Sequence, residues 1–161
     1  MNNFTHLHVH TQFSLLDGAA KIPDLVSYAK ELGMTSLAIT DHGVMYGAVD
    51  FYQECKKQGI KPILGCEVYV TTGSHLERNN RGLFHLILLA ENLEGYHNIM
   101  KMVSLSQLEG FYYKPRVDKD ILRAHSKGLI CLSACIAGEL PVFILQDNFD
   151  GARRCLEEHI E

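Results

Sequence analysis

Several features are missing from this sequence, and each absence excludes a class of protein. No run approaches eighteen apolar residues without a charge, so no membrane-spanning helix is expected. No basic N-terminal region precedes an apolar core, so no signal peptide is expected either. The five cysteines include no Cys-x-x-Cys pair, which argues against a disulfide framework and for a reducing, cytoplasmic setting. There is no Gly-x-x-x-x-Gly-Lys-[Ser/Thr] loop and no zinc-finger spacing, so nucleotide or nucleic-acid binding through those devices has no support. An excess of positive charge is lacking too. With a net charge of -4 and a pI near 6.1, the chain has no global attraction for nucleic acid. Any phosphate contact must come from bound metal ions or a small Lys/Arg patch.

What remains is an ordinary soluble composition, 47% hydrophobic and 21% charged over 161 residues, which suits one domain with a real core. Apolar periodicity divides the chain into alternating strands and helices. Phe4 to His10 reads as a first strand, and Pro23 opens a helix through Leu32 that Gly33 caps. Ser36 to Thr40 is a short buried strand ending at Asp41-His42-Gly43. Tyr46 to Gln58 is helical and Gly59 stops it. Pro62 to Val70 is a third strand, Thr71 to Gly82 a polar and mobile loop, and Phe84 to Ala90 a fourth strand. Asn92 to Leu108 is a helix, followed by a Gly/aromatic/Pro connection. Gly128 to Ser133 is a fifth strand, and Pro141 to Leu145 and Asp150 to Ile160 are helical. Units of roughly 25 to 30 residues suit parallel βα units, in which ligands gather at the C-terminal ends of the strands. The sequence stops at Glu161 inside an amphipathic pattern, which suggests a fragment with an open sheet edge.

The chemistry is concentrated in polar residues at those strand ends. On a strand, His6, His8 and His10 share one face. The His8-x-His10 pair presents two ring nitrogens to one side, as zinc, manganese or iron require. His6 sits deeper and suits a supporting role. Asp17, in Leu15-Leu16-Asp17-Gly18, can be a loop ligand or a turn former. His42 can ligate a metal while Asp41 orients it or a water. Glu67 is an acid in an apolar strand, where a lone carboxylate is costly and should meet a cation; a carboxylate can also bridge two metals. His85 is either a satisfied core histidine or a ligand, and the company of the others favours the ligand. Cys135 is either a small buried residue or a ligand. Glu67 and Asp41 are the candidate catalytic acids. His75, His97, His125 and His159 fall in expected loops or helices and suit the surface. Lys114 and Arg116, beside Phe111-Tyr112-Tyr113, are candidate phosphate contacts, with Arg78 and Arg81 behind them. The plain alternative for this stretch is a packed aromatic turn with solvated charges.

These residues resemble the polymerase and histidinol phosphatase (PHP) domain. The likeness rests on His6-Leu-His-Val-His-Thr11, Phe13-Ser-Leu-Leu-Asp-Gly18, Ile39-Thr-Asp-His-Gly43 and Gly65-Cys-Glu67. Asn92-Leu-Glu-Gly-Tyr96, Gly110-Phe-Tyr-Tyr-Lys-Pro-Arg-Val117 and Ser133-Ala-Cys-Ile-Ala-Gly-Glu139 point to the branch that begins bacterial replicative DNA polymerases, rather than to free small-molecule phosphatases. The resemblance implies an α/β fold, a partial, distorted β/α barrel of mainly parallel strands. It also implies up to three divalent metal ions (zinc, manganese or iron) in the complete domain. By position, His8, His10, Asp17, His42, Glu67, His85 and Cys135 match the ligand pattern, while His6 stands where the family usually has an acid. The family completes its site with an Asp-x-His motif beyond position 161. Residues 1–161 are therefore expected to be the N-terminal part of one PHP domain, without the polymerase domains. The implied activity is metal-dependent phosphoester hydrolysis, as a 3′–5′ proofreading exonuclease in a longer DNA-directed DNA polymerase. That parent would have DNA and other replicase subunits as partners and no membrane. The alternative is a structural metal-binding module that stabilises the polymerase.

Overall fold

A computed structural model of the chain describes residues 4–160, so Glu161, where the sequence suggests a cut helix, lies outside the described residues. The elements in chain order are α1 (Ile22–Glu31), β1 (Ser36–Ile39), α2 (Ala48–Gln58), β2 (Lys61–Thr71) and β3 (Leu83–Ala90). They are followed by α3 (Leu93–Leu108), β4 (Arg116–Val117), α4 (Lys119–Ala124), β5 (Leu129–Leu132), α5 (Glu139–Leu145) and α6 (Phe149–Ile160). Among the described residues, no helix is long and apolar enough to cross a membrane.

The fold is α/β and its strands are mainly parallel. β2 is the spine: its first half pairs with β1 in parallel, its second half with β3 in antiparallel register, and Tyr69 and Val70 pair with β4 in parallel. β5 joins the far side of β3, again antiparallel. Four strands therefore share one direction and β3 alone is reversed. A run of uniform parallel βα units does not form here. The segment between β2 and β3 contains no helix, and a parallel crossover needs one or a comparably long connection. The chain turns back instead.

Phe4 to His10 is not a regular strand, although it lies alongside β1. Ala38 N–H donates to His6 O and Thr40 N–H to Val9 O, a step of two residues on β1 against three on the partner. The Thr40 hydroxyl takes the Val9 N–H that a ladder carbonyl would otherwise accept, at 2.8 Å. Ladder pairing is interrupted, and Leu7 and Val9 pack into different layers, Leu7 beside Ala38 and Val9 beside Leu37 and Ile39, while His8 is exposed.

Three apolar layers set where polar groups can appear. α1 buries Ile22, Val26 and Ala29, one stripe at helical spacing, against Phe51 and Cys55 of α2 and Leu37 and Ile39 of β1. α3 buries Ile99 and Met102 against Cys66, Val68 and Val70 of β2 and Leu86 and Leu88 of β3. The alternate residues of β2 and β3 turn to the opposite face. There Ile87 and Leu89 form a small layer with Ala38, and Leu7 and Leu132 pack on it. Glu67, Tyr69 and His85 share that opposite face, because side chains alternate along a strand. An acid in an apolar strand is thus tolerated: its neighbours Cys66 and Val68 fill one core and Glu67 faces another space.

The stretch after α3 is more ordered than its composition suggests. It contains β4 and then α4, whose N-cap Asp118 accepts from Ile121 N–H at 3.0 Å. The polar segment 72–82 is pinned rather than loose. Arg116 is fully buried, and its guanidinium donates to the carbonyls of His75, Glu77, Asn80 and Gly110 at 2.5 to 3.0 Å. His75 is not a surface residue, since its Nδ1 lies 2.6 Å from Asp118 Oδ2 and its side chain is largely covered.

Candidate metal centre

Glu67 is the hub of the site. It is 1% exposed, and each carboxylate oxygen faces a different set of donors. Oε2 lies 2.5 Å from His8 Nε2 and 3.0 Å from His10 Nε2, and those two nitrogens are 2.9 Å apart. Oε1 lies 2.5 Å from His85 Nδ1 and 3.6 Å from His42 Nδ1. Cys135 Sγ is 3.8 Å from His85 Nδ1, and on the other flank His42 Nε2 is 3.1 Å from Asp17 Oδ2. The structure thus brings together His8, His10, Asp17, His42, Glu67, His85 and Cys135, all of the candidate ligands picked out from sequence.

Each donor arrives by a different route. His8 and His10 come from the irregular N-terminal segment and Asp17 from the turn after it. His42 follows β1 and is bridged to Glu67 by backbone pairing, with Glu67 N–H donating to Asp41 O and Gly43 N–H to Glu67 O. His85 stands near the start of β3, which the strand's reversal carries to the same end of the sheet as Glu67. Cys135 lies in the loop after β5, which is fastened to β3 by the His85 N–H to Ala137 O bond. Ala134, just before it, has a φ of 60°.

Two observations test whether a cation fits. First, Glu67 Oε1 and His42 Nδ1 are buried without a hydrogen-bond partner, because His85 Nδ1 approaches Oε1 outside hydrogen-bonding geometry. Buried polar atoms are almost always satisfied, so a pair of orphans at one spot calls for another partner. Second, the ligand atoms of His8, His10 and Glu67, and separately of Glu67, His85 and Cys135, lie within 4.8 Å of one another. Imidazole, carboxylate and thiol donors suit zinc or iron, and without the thiol also manganese. The clusters are able to hold divalent metal.

Charge in the centre is divided accordingly. Burial alone would raise the Glu67 carboxyl, but the close imidazoles of His10, His85 and His8 and the nearby His42 hold it far below the usual carboxylate range. The hydrogen bond to Glu67 raises His10, against its own burial. Burial lowers His42 despite Glu67. The rings of His10 and His42 stack at 4.1 Å, and Tyr69 continues the column at 5.9 Å from His42.

Three expectations need correction. Asp41 does not join the cluster as a catalytic acid. Its Oδ1 accepts from Thr11 N–H at 2.6 Å and from the Ser14 hydroxyl at 2.8 Å, and its Oδ2 accepts from the Thr11 hydroxyl at 2.8 Å. It anchors the turn that follows His10. Arg116 is no phosphate contact, because its donors are committed to backbone carbonyls inside the fold. His6 is exposed and outside the cluster, its ring edge-on to Phe4 at 4.7 Å. Sequence reasoning missed Ser14, whose hydroxyl serves Asp41, His10 Nδ1 and His42 N–H at once. No spacing rule singles out such a serine.

Known proteins resemble this chain over nearly its whole length. The chain is 53% identical over 156 residues to "DNA polymerase III subunit alpha" of Borreliella burgdorferi, covering 94% of this chain and 14% of that protein. It is 50% identical to the proteins of the same name from Treponema pallidum and Thermus aquaticus, each match covering 98% of this chain and 13% of the relative. The chain therefore spans only about a seventh of the length of the relatives it matches. Among solved structures, a candidate metal-dependent phosphoesterase from Bifidobacterium adolescentis superposes with a TM-score of 0.49 at 22% identity, over 66% of this chain and 34% of that one. The profile of the PHP domain matches residues 6–161, nearly the whole sequence, and the chain belongs to the PHP domain family.

Proposed function

We propose that this chain is the PHP segment of a bacterial replicative DNA polymerase alpha subunit, and that its centre hydrolyses phosphodiesters at a DNA 3′ end. In that setting the whole protein is a cytoplasmic DNA-directed DNA polymerase, a nucleotidyltransferase of DNA replication, with DNA and other replicase subunits as partners. The identity of the relatives over nearly the whole chain supports the first part. The geometry of Glu67 carries the second, because its two oxygens each serve a separate donor group.

His8, His10 and Glu67 Oε2 would hold one ion, His85, Cys135 and Glu67 Oε1 a second, and His42 with Asp17 a third. Zinc or iron suits the group with Cys135, and manganese also suits the groups without the thiol. Bound ions would supply Lewis-acid polarisation of the phosphoryl oxygen and a nucleophile from water at neutral pH. The chain's own residues do the rest. Ser14 fixes His10 with Nδ1 as donor, leaving Nε2 free to face Glu67. Asp41 holds that serine and the turn around it. Lys114, whose ammonium lies 5.2 Å from the Tyr69 ring centre, offers positive charge to a substrate phosphate beside the cluster.

The test is hydrolysis of 5′-labelled single-stranded DNA by a full-length protein carrying this segment. Loss of 3′–5′ cleavage in Glu67→Ala supports the reading; unchanged cleavage in that variant overturns it. A second reading has its own support, since the donors come from well-separated segments and an ion there would cross-link them. In that case metal removal lowers the melting temperature and no hydrolysis is found in the wild type.

A further inference from the structure

Beside the centre, the turn Tyr112–Lys114 is built in a way that packing does not require. Tyr113 has a φ of 62°, a left-handed conformation that a bulky side chain rarely adopts, and it is 63% exposed. The strain buries little: the ring meets Tyr112 edge-on at 4.7 Å and is otherwise displayed, with the Arg81 guanidinium 4.0 Å from its centre and Arg81 donating to its hydroxyl. Strain that persists with little burial points to use. Ala134, the other strained residue beside the site, directly precedes the candidate ligand Cys135.

The turn is held rigidly from below. Tyr112 N–H donates to Lys114 O at 3.0 Å, and the buried Arg116 clamps Gly110 and the 75–80 segment. Pro115 packs on Gly43, where a Cβ would come within 2.6 Å of its Cγ. Lys114 follows Tyr113, and no carboxylate pairs with it among the described residues. Its ammonium points at Tyr69, whose ring contacts those of His42 and His85. Arg81 at the Tyr113 ring and Lys114 beside it place local positive charge at this turn, in a chain whose net charge is negative.

We infer that the Tyr112–Lys114 turn is a subsite for single-stranded DNA, with Tyr113 and Arg81 forming a stacking platform for a base and Lys114 taking the phosphate next to it. Every base has a π face, so stacking tolerates sequence, and a local cation supplies the attraction that the net charge lacks. A double strand hides its bases from such a platform, so the subsite selects unpaired ends. The inference rests on the phosphoester reading of the neighbouring centre, for which it names the form of substrate.

The probe is a fluorescent phosphorothioate oligothymidylate, which reports binding without cleavage, with fluorescence anisotropy as readout. The full chain is compared with Tyr113→Gly, Lys114→Ala and Glu67→Gln, and unmodified oligomer is supplied separately to follow hydrolysis. Tyr113→Gly relieves the left-handed strain, so its melting temperature should not fall, while its dissociation constant rises about tenfold. Lys114→Ala should weaken binding several-fold and reduce the salt slope by about one phosphate contact. Glu67→Gln should lose hydrolysis and keep the platform's share of binding. If Tyr113→Gly and Lys114→Ala bind as wild type does, or a duplex of equal length competes as well as the single strand, the subsite is wrong. If Tyr113→Gly melts lower, Arg81→Ala and Lys114→Ala decide in its place. Absence of hydrolysis with intact, turn-dependent binding would instead reject the phosphoester reading and leave the subsite standing.

Discussion

The Ser14 hydroxyl stands 3.2 Å from His10 Nδ1 and donates to Asp41 Oδ1 at 2.8 Å. Since its own proton goes to Asp41, it can only accept from His10, and the tautomer of that ring is settled three bonds from the cluster. Ser14→Ala should therefore weaken metal binding about tenfold or more, as loss of a partner behind a ligand generally does. It should also cost about 1–3 kcal/mol of stability by leaving a buried carboxylate short of a donor. Titration calorimetry with zinc and urea unfolding of the chelated chain read the two effects separately. Unchanged zinc affinity would show that Ser14 merely supports the turn.

The metal-free chain should show an acid and an alkaline limit that both depend on Glu67. Its carboxyl is depressed by His10, His85, His8 and His42 against the cost of burial, so its contribution is present above the ordinary carboxylate value and is lost as pH falls through the folded one. His10 is raised by the same contact, so its contribution is present below 6.5 and is lost as pH rises through its folded value. His42, lowered by burial, works in the opposite sense near 6.5 and blunts that alkaline loss. Urea unfolding in chelator from pH 3 to 8 should find the gap between wild type and Glu67→Gln widest near pH 5 to 6. A gap independent of pH would remove the charge pairing from the account.

Gly43 and Gly33 form a matched pair for thermal melting. Both have positive φ, 62° and 76°, but a Cβ at Gly33 would meet nothing within 4 Å, whereas at Gly43 it would meet Pro115. Gly33→Ala should cost only the left-handed penalty, about 1–2 kcal/mol. Gly43→Ala should cost that and the displacement of Pro115 as well, lowering the melting temperature by roughly 5 °C or more for a chain of this size. Equal shifts would mean that Pro115 yields freely.

Arg116→Ala should destabilise by about 3 kcal/mol or more, since it strips donors from the carbonyls of His75, Glu77, Asn80 and Gly110. Arg116→Lys should recover little, because one ammonium cannot span the fork of a guanidinium. Chemical unfolding measures both. A stable Arg116→Ala whose only defect is weaker DNA binding would restore the phosphate role that the structure denies.

Much of this was legible in the sequence because two simple periods were at work. Helices ended where Gly33 and Gly59 take left-handed conformations, and β2 and β3 followed their apolar runs within about a residue. Histidines and acids gathered at strand ends marked the cluster, although Asp41, one of those acids, serves the turn after His10 instead. The break in the Phe4–His10 ladder leaves no trace in the sequence, because a threonine hydroxyl, which carries no periodicity, replaces a backbone partner. The reversal of β3 was hidden because a strand's apolar run is the same in either direction. Arg116 and His75 looked exposed by residue type, and only the long-range carbonyls and Asp118 reveal them as buried.

The dispersal of the donors also fixes an order in time. His8 and His10 leave the ribosome first, and Cys135 follows roughly 125 residues later, on the order of ten seconds at ordinary rates of synthesis. For the first part of that interval the early imidazoles lack Glu67, and throughout it they lack the thiol. The group of His8, His10 and Glu67 is thus assembled from the first half of the chain, whereas the group of Glu67, His85 and Cys135 waits for the second, and the two would become able to hold an ion at different moments of synthesis.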